Sequence, residues 1–253
     1  MPHHFTKVVA FIAINLATTA NAYILIDNFQ TTEDVNHYPL TVSSDPSTRG
    51  NIVDSFGEID GVAVTRDIQY FISPAGPDTT ASQTVSVGND YLRTESIDGI
   101  PFFAIWWRTG VPGGKLRINA SREAGLRIRY QTNNSVDVVI HLTETDGGYR
   151  STSGSIGFFT LQDNRSELFF PFESFSHPAS YIPPRGPDVL LPPINTASID
   201  AIHFFVADSE ELGTSVPKSL DLKLFEFALI PEPAASITMM LGALAVARRR
   251  RHA

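Results

Sequence analysis

Cysteine is missing from all 253 residues. That absence removes disulfides, thiolate-held zinc, iron–sulfur clusters and thiol catalysis together. Stability must then come from the apolar core, a bound ion or assembly. Charge is sparse as well. Charged residues make up 18% of the chain against 42% hydrophobic, a balance that suits a packed core and not a disordered chain. No interior window holds ten or more residues at helical spacing, and no apolar run is long enough for a permanent membrane anchor.

Signatures of catalysis are absent too. Ser153-Gly154-Ser155-Ile156-Gly157 lacks the leading glycine of a nucleophile elbow. Gly110 to Leu116 has Thr109 where a phosphate loop needs glycine, and no hydroxyl residue follows Lys115. The seven histidines form no His-Glu-x-x-His or His-x-His group, and His141 and His203 read as structural residues inside strands. Glu144 and Asp146 are spaced to share one face of a strand, but they abut an Asp-Gly-Gly turn and read as turn residues. The expectation is a protein that is not an enzyme.

What is present is period-two alternation. Val62, Val64, Ile68, Tyr70 and Ile72 keep one phase, broken only by Arg66. Leu126, Ile128 and Tyr130 alternate with Arg127 and Arg129; Leu220, Leu222 and Leu224 alternate with Asp221 and Lys223. Val136, Val138, Ile140 and Leu142 repeat the spacing. Apolar runs at Phe102 to Trp107, Ile156 to Leu161, Leu168 to Phe172 and Ile199 to Val206 add further strands. With 17 Gly and 17 Pro spread among them, the pattern predicts an all-β chain: a single jelly-roll-like β-sandwich domain over 23–229. Pro178 to Pro193 is read as a long surface loop.

The two ends carry addresses. Met1 to Lys7 is a short, weakly basic region holding His3, His4 and Lys7, Val8 to Ala17 is apolar but for Asn15, and Ala20-Asn21-Ala22 offers the small residues that signal peptidase needs. Residues 1–22 are therefore expected to be a signal peptide, cut before Tyr23. At the other end Pro231-Glu232-Pro233 precedes the apolar stretch Ala234 to Ala247, then Arg248, Arg249, Arg250 and Arg251. Fourteen residues of helix reach about 21 Å, short of a bilayer core of roughly 30 Å. The tail, 230–253, fits transient membrane contact with its arginines held at the cytoplasmic face.

These C-terminal residues resemble the PEP-CTERM sorting tail of Gram-negative bacteria, also labelled the ice-binding-protein C-terminal domain. The resemblance implies recognition and removal of the tail by an exosortase, and a place at the cell surface or in the extracellular matrix. Three internal segments are similar to galactose-binding-like jelly rolls: Ile26-Asp27-Asn28-Phe29, Gly61 to Phe71 with Arg66-Asp67, and Ile199 to Val206 followed by Leu220 to Phe227. That likeness implies the fold and suggests a sugar ligand. It also places the first and last strands of the processed chain side by side.

Setting aside Lys7, Arg248 to Arg251 and Glu232 from 19 basic and 27 acidic residues leaves 14 and 26, a balance near −12. Such a domain repels nucleic acid. Two candidate sites follow. Adjacent strand residues face opposite ways, and Phe103, Ile105 and Trp107 make the more apolar face, so Trp107 belongs to the core while Trp106 is the candidate carbohydrate contact; burial of both in the sandwich is the alternative. Asp27, Glu33, Asp34 and Asp221 are candidate oxygen ligands for a structural calcium ion; for Asp27 a strand-end cap bonded to backbone N–H groups is the alternative. No cofactor is otherwise expected. The leading function is a non-catalytic exported surface or matrix protein with exopolysaccharide as its candidate partner. A glycan-processing hydrolase and a structural surface protein without ligand stay open.

Processing at both ends is directly measurable. Intact-mass analysis of protein recovered from the native cell surface should show Tyr23 at the N-terminus and Arg248 to Arg251 gone. A surface species that retains the arginines in a host with an exosortase contradicts the sorting reading.

Overall fold

The computed structural model describes residues 23–29, 36–42, 49–59, 61–74, 76, 80–88, 90–109, 114–143, 154–175, 177–178, 196–208 and 214–231. Residues 1–22, Glu33, Asp34, Glu232, Pro233 and Arg248 to Arg251 lie outside them. Fourteen strands follow in order: β1 (Ile24–Asp27), β2 (Asn36–Val42), β3 (Gly50–Ile59), β4 (Val62–Pro74), β5 (Ala81–Gly88), β6 (Tyr91–Ile97) and β7 (Gly99–Thr109). Then come β8 (Glu123–Thr132), β9 (Val136–Thr143), β10 (Gly154–Leu161), β11 (Glu167–Pro171), β12 (His177–Pro178), β13 (Ala201–Val206) and β14 (Leu220–Pro231). One 3-10 turn, Phe172–Ser174, is the sole helical piece among the described residues. None of their helices is long and apolar enough to cross a membrane.

The strands form two antiparallel sheets packed face to face, so the chain is the all-β, jelly-roll-like sandwich that the alternation predicts. Sheet A runs β11-β8-β14-β6-β5-β2, with β1 added against β14; sheet B runs β12-β10-β9-β13-β7-β4-β3. Positions of the prolines fit this order. Pro39 lies in β2, an edge strand, where a missing N–H costs no ladder bond. Pro101 lies in β7 beyond Phe103, where the ladder with β13 stops. Gly61, at φ +77°, supplies the left-handed backbone that the tight β3–β4 hairpin requires.

The core fills the space between the sheets. Val64, Ile68, Tyr70 and Ile72 of β4 point into it, as do Leu126, Ile128 and Tyr130 of β8 and Leu220, Leu222 and Leu224 of β14. Trp107 is completely buried there, stacked on Phe227 at 4.7 Å between ring centroids. Arg66 does not break the phase of β4. Its side chain also points inward and is fully buried.

A buried ion pair makes this arrangement tolerable. The Arg66 guanidinium donates to both carboxylate oxygens of Asp27 at 3.1–3.2 Å, and the Trp107 indole N–H donates to Oδ2 at 2.7 Å. The Phe29 amide donates to Oδ1 at 2.6 Å. This bond helps hold Phe29 at φ 54°, a region that bulky residues rarely enter. The Phe29 ring then lies under the guanidinium at 5.5 Å. Burial pushes the Asp27 carboxyl up, while Arg66, the Trp107 indole and the Phe29 amide act in the opposite sense.

Since β1 pairs with β14 of sheet A, while Arg66 and Trp107 belong to sheet B, the cluster bolts the two sheets together. Removing one member of a buried pair strands the other, at a cost of about 3–5 kcal/mol. Asp27→Asn should therefore lower unfolding stability by about that amount. The double variant Asp27→Asn/Arg66→Met should recover part of the loss in urea denaturation. Equal stability of Asp27→Asn and wild type would show that the pair is not a structural bolt.

Candidate functional site

The outward faces of the two sheets differ sharply. On sheet A the outward positions carry charges that pair off, with the rings of Tyr23, Tyr91 and Phe169 spaced among them. Arg93 chelates Asp221 through two hydrogen bonds of 2.7 Å and also meets Glu95 at 2.6 Å. Arg127 pairs with Glu226, and the Lys223 ammonium sits 5.6 Å from the Tyr91 ring. This is a solvated face, with ion pairs of the sort that contribute little each.

On sheet B the same positions are aromatic. Phe102, Trp106 and Phe158 are partly buried and pack over Ala104, Val139, Ile156 and Phe205. The Phe71 ring stacks on Phe102 at 4.6 Å and 14°, with the Arg49 guanidinium 5.4 Å away. Partly exposed aromatic rings in a row offer flat apolar surface beside polar edges.

Ladder register places a second set of side chains across this face. Val53, Asp67, Trp106, His203 and His141 are successive partners on β3, β4, β7, β13 and β9. Asp67 accepts a 2.6 Å hydrogen bond from Arg108 on Oδ2. The Arg108 guanidinium also lies 5.6 Å from the Trp106 ring. Trp106 packs against the His203 ring at 5.6 Å, and the two histidine rings meet nearly at right angles at 5.0 Å. Both imidazoles and Asp67 are only 3% exposed.

Within that row, Asp67 Oδ1, Trp106 Nε1, His203 Nδ1 and His141 Nε2 are buried with no hydrogen-bond partner among the described residues. Each such group costs about 1–3 kcal/mol. Four on neighbouring strands in one line are unusual for a native fold, where unpaired buried groups are few. Burial also fixes the charge states. Desolvation pushes His141 down to about 4 and His203 down to about 3, the latter helped by His141 and Arg108. Both rings are thus neutral at pH 7. Burial raises the Asp67 carboxyl, and Arg108 opposes that rise.

The residues singled out in the sequence fall in different places. Trp107 lies in the core and Trp106 on the aromatic outer face of sheet B. Tyr23 is exposed, its ring 5.5 Å from the Arg127 guanidinium, and Pro231 ends β14 opposite Glu123. Of the candidate calcium ligands, the two among the described residues, Asp27 and Asp221, are not brought together. Asp27 is bonded to Arg66, Trp107 and Phe29 beside Phe227, while Asp221 lies six residues along β14, about 20 Å away. Asp221 is held by Arg93, and Glu33 and Asp34 lie outside the described residues. No group of three or more histidine, aspartate or glutamate side chains suited to a metal ion occurs among the described residues.

No protein-family model and no curated protein matches this chain significantly. Among solved structures it is similar to the family 11 carbohydrate-binding module from Clostridium thermocellum in complex with a β-1,3-1,4-mixed-linked tetrasaccharide. That alignment covers 84% of this chain and 98% of the module, at 14% identity and a TM-score of 0.40. A second structure, the family 11 module of a cellulosomal cellulase of the same organism, aligns over 85% and 97%, at 15% identity and a TM-score of 0.38.

Sequence reasoning reads the two histidines as structural and so misses the polar row. A signal was available. Ile199 to Val206 and Phe102 to Trp107 are apolar in both phases, which implies strands covered on both faces. A histidine inside such a run lies under cover whichever way it points.

The histidines also set a pH dependence. An unfolded chain binds protons at both rings below about pH 6.5, whereas the fold resists protonation until about pH 4 and pH 3. Stability from these groups is therefore present above pH 6.5 and is lost as pH falls toward 4 and then 3. The melting temperature of His141→Phe/His203→Phe should fall less than that of wild type between pH 6.5 and 4. Parallel curves for the two proteins would show that the rings are not neutral in the fold.

Proposed function

We propose that this protein is an exported, non-catalytic surface or matrix protein that holds polysaccharide against the outer face of sheet B. One observation carries the reading: on that face Phe71, Phe102, Trp106 and Phe158 gather into one aromatic patch, while on sheet A the rings of Tyr23, Tyr91 and Phe169 stand apart among ion pairs. Flat rings flanked by guanidinium groups suit the apolar faces and hydroxyl edges of sugar rings. Delivery rests on the resemblance of Pro231-Glu232-Pro233 and Arg248 to Arg251 to a sorting tail, and on the expected cut before Tyr23. Signal peptidase and exosortase are then its processing partners, and exopolysaccharide its ligand.

Affinity electrophoresis of the full chain in gels containing single polysaccharides tests the binding. Wild type should be retarded by at least one of them. Trp106→Ala and Phe102→Ala should each weaken retention about tenfold or more, within the range of a lost ring contact, with circular dichroism unchanged. Retention that survives both substitutions removes this face from the reading. Release of reducing sugar would replace binding with hydrolysis.

A further inference from the structure

Resting on the proposed delivery through the C-terminal tail, the two ends of the domain fix where it meets the membrane. β1 and β14 are antiparallel, with Ile24 opposite Leu229. Tyr23 therefore stands beside the C-terminal end of β14, where Pro231 is the ladder partner of Glu123. Both apolar end segments, Val8 to Ala17 and Ala234 to Ala247, join the domain at this one place. From Pro231 to Ala234 is three residue steps, about 10 Å at full stretch. Whichever end is held in a bilayer, the same end of the sandwich is held against it with little chain to spare.

That end carries apolar side chains on its outside. Ladder partners Leu25, Ala228, Arg127 and Phe169 form a row across β1, β14, β8 and β11, three strand spacings or about 14 Å. Leu25 is 38% exposed and Phe169 44%; Tyr23, 46% exposed, holds its ring 5.5 Å from the Arg127 guanidinium. Only two other large apolar side chains among the described residues, Val53 and Ile97, are as open to solvent. Arg122, also exposed, precedes Glu123 at the same end. We propose that Tyr23, Leu25 and Phe169 seat the domain in the interfacial layer of a phospholipid bilayer while an end segment holds the chain there. Tyrosine and arginine suit that layer, since each joins an apolar body to a polar tip that reaches the headgroups. Charge permits the approach. Arg122, Arg127 and Arg129 stand here against Glu123, Glu167 and Glu226, three of each sign, within a domain near −12. Anionic headgroups thus meet no net repulsion at this patch, although they would over most of the surface.

A chain without cysteine accepts a label at any single position. Full chains carrying Phe169→Cys, Ile97→Cys or Met240→Cys are labelled with a fluorophore and reconstituted into phosphatidylethanolamine–phosphatidylglycerol vesicles that contain a quencher at headgroup depth. Met240 lies in the apolar tail and reports its insertion. Ile97 is the remote control: it follows Ser96, the partner of Leu220, which is eleven residues or about 36 Å along β14 from Pro231. The label at 169 should be quenched severalfold more than the label at 97, and the label at 240 should be shielded from water. Adding Tyr23→Ser and Leu25→Ser to the Phe169→Cys chain should remove most of the difference, with circular dichroism unchanged. Mere nearness to the tail would not respond to those two changes, so quenching that survives them overturns the seat. Equal, weak quenching at 169 and 97 with the label at 240 shielded also overturns it, and leaves tail contact standing. A label at 240 that stays in water overturns membrane contact by the tail and the seat with it.

Discussion

One charge pair in the middle of the sandwich decides how the chain can fold. Arg66 would be prohibitively costly to bury alone, and so would Asp27. Together, with the Trp107 indole and the Phe29 amide closing the remaining sites, they form a neutral, hydrogen-bonded unit. Its members come from β1, from Phe29 two residues beyond it, and from β4 and β7. The short first strand is therefore tied to the opposite sheet as well as to β14. A hydrophobic filling of equal volume could supply as much stability. It would not fix which residue of β1 meets which residue of β4, whereas a carboxylate has one place to go.

With register fixed in this way, the alternation along β4 and β7 assigns each remaining side chain to a face. Trp107 goes to the core, so Trp106 must go outside; Arg66 goes to the core, so Asp67 must go outside. The outer row is thus a by-product of the inner bolt. Its polar atoms lie on neighbouring strands because the ladders of sheet B hold partners opposite each other across four strands without a bulge there. Sheet A pairs off Arg93 with Asp221 and Arg127 with Glu226, and its unpartnered atoms, Arg127 Nε and Glu123 Oε2, lie along β8 rather than in a row across strands.

Much of this was legible in the chain. Leu126, Ile128 and Tyr130, with the leucines at 220, 222 and 224, alternate because their strands have one wet face. They mark sheet A. The two-phase apolar runs at Phe102 to Trp107 and Ile199 to Val206 mark the middle of sheet B. Strands β5 and β6 escaped notice for a physical reason: Gln83, Thr94 and Ser96 are buried in them, and inward polar residues erase the period of two. Gln83 reaches Thr94 and the Phe102 carbonyl at 3.0 and 3.1 Å, bonds that no local pattern announces. The same holds for the central pair. Arg66 reads as an interruption and Asp27 as a cation ligand or a strand-end cap until a sequence separation of 39 is folded back. Partner identity is a long-range property, and periodicity is local.

The place of β14 has a mechanical meaning. It is an interior strand of sheet A, hydrogen-bonded to β8 on one side and to β6, then β1, on the other. Traction on the backbone beyond Pro231 acts along the strand axis, perpendicular to the ladder bonds on both flanks. Those bonds are then strained in shear and share the force, whereas a strand peeled from a sheet edge gives up its bonds one at a time. Whatever pulls on this domain from beyond Pro231 pulls on a strand bonded along both flanks.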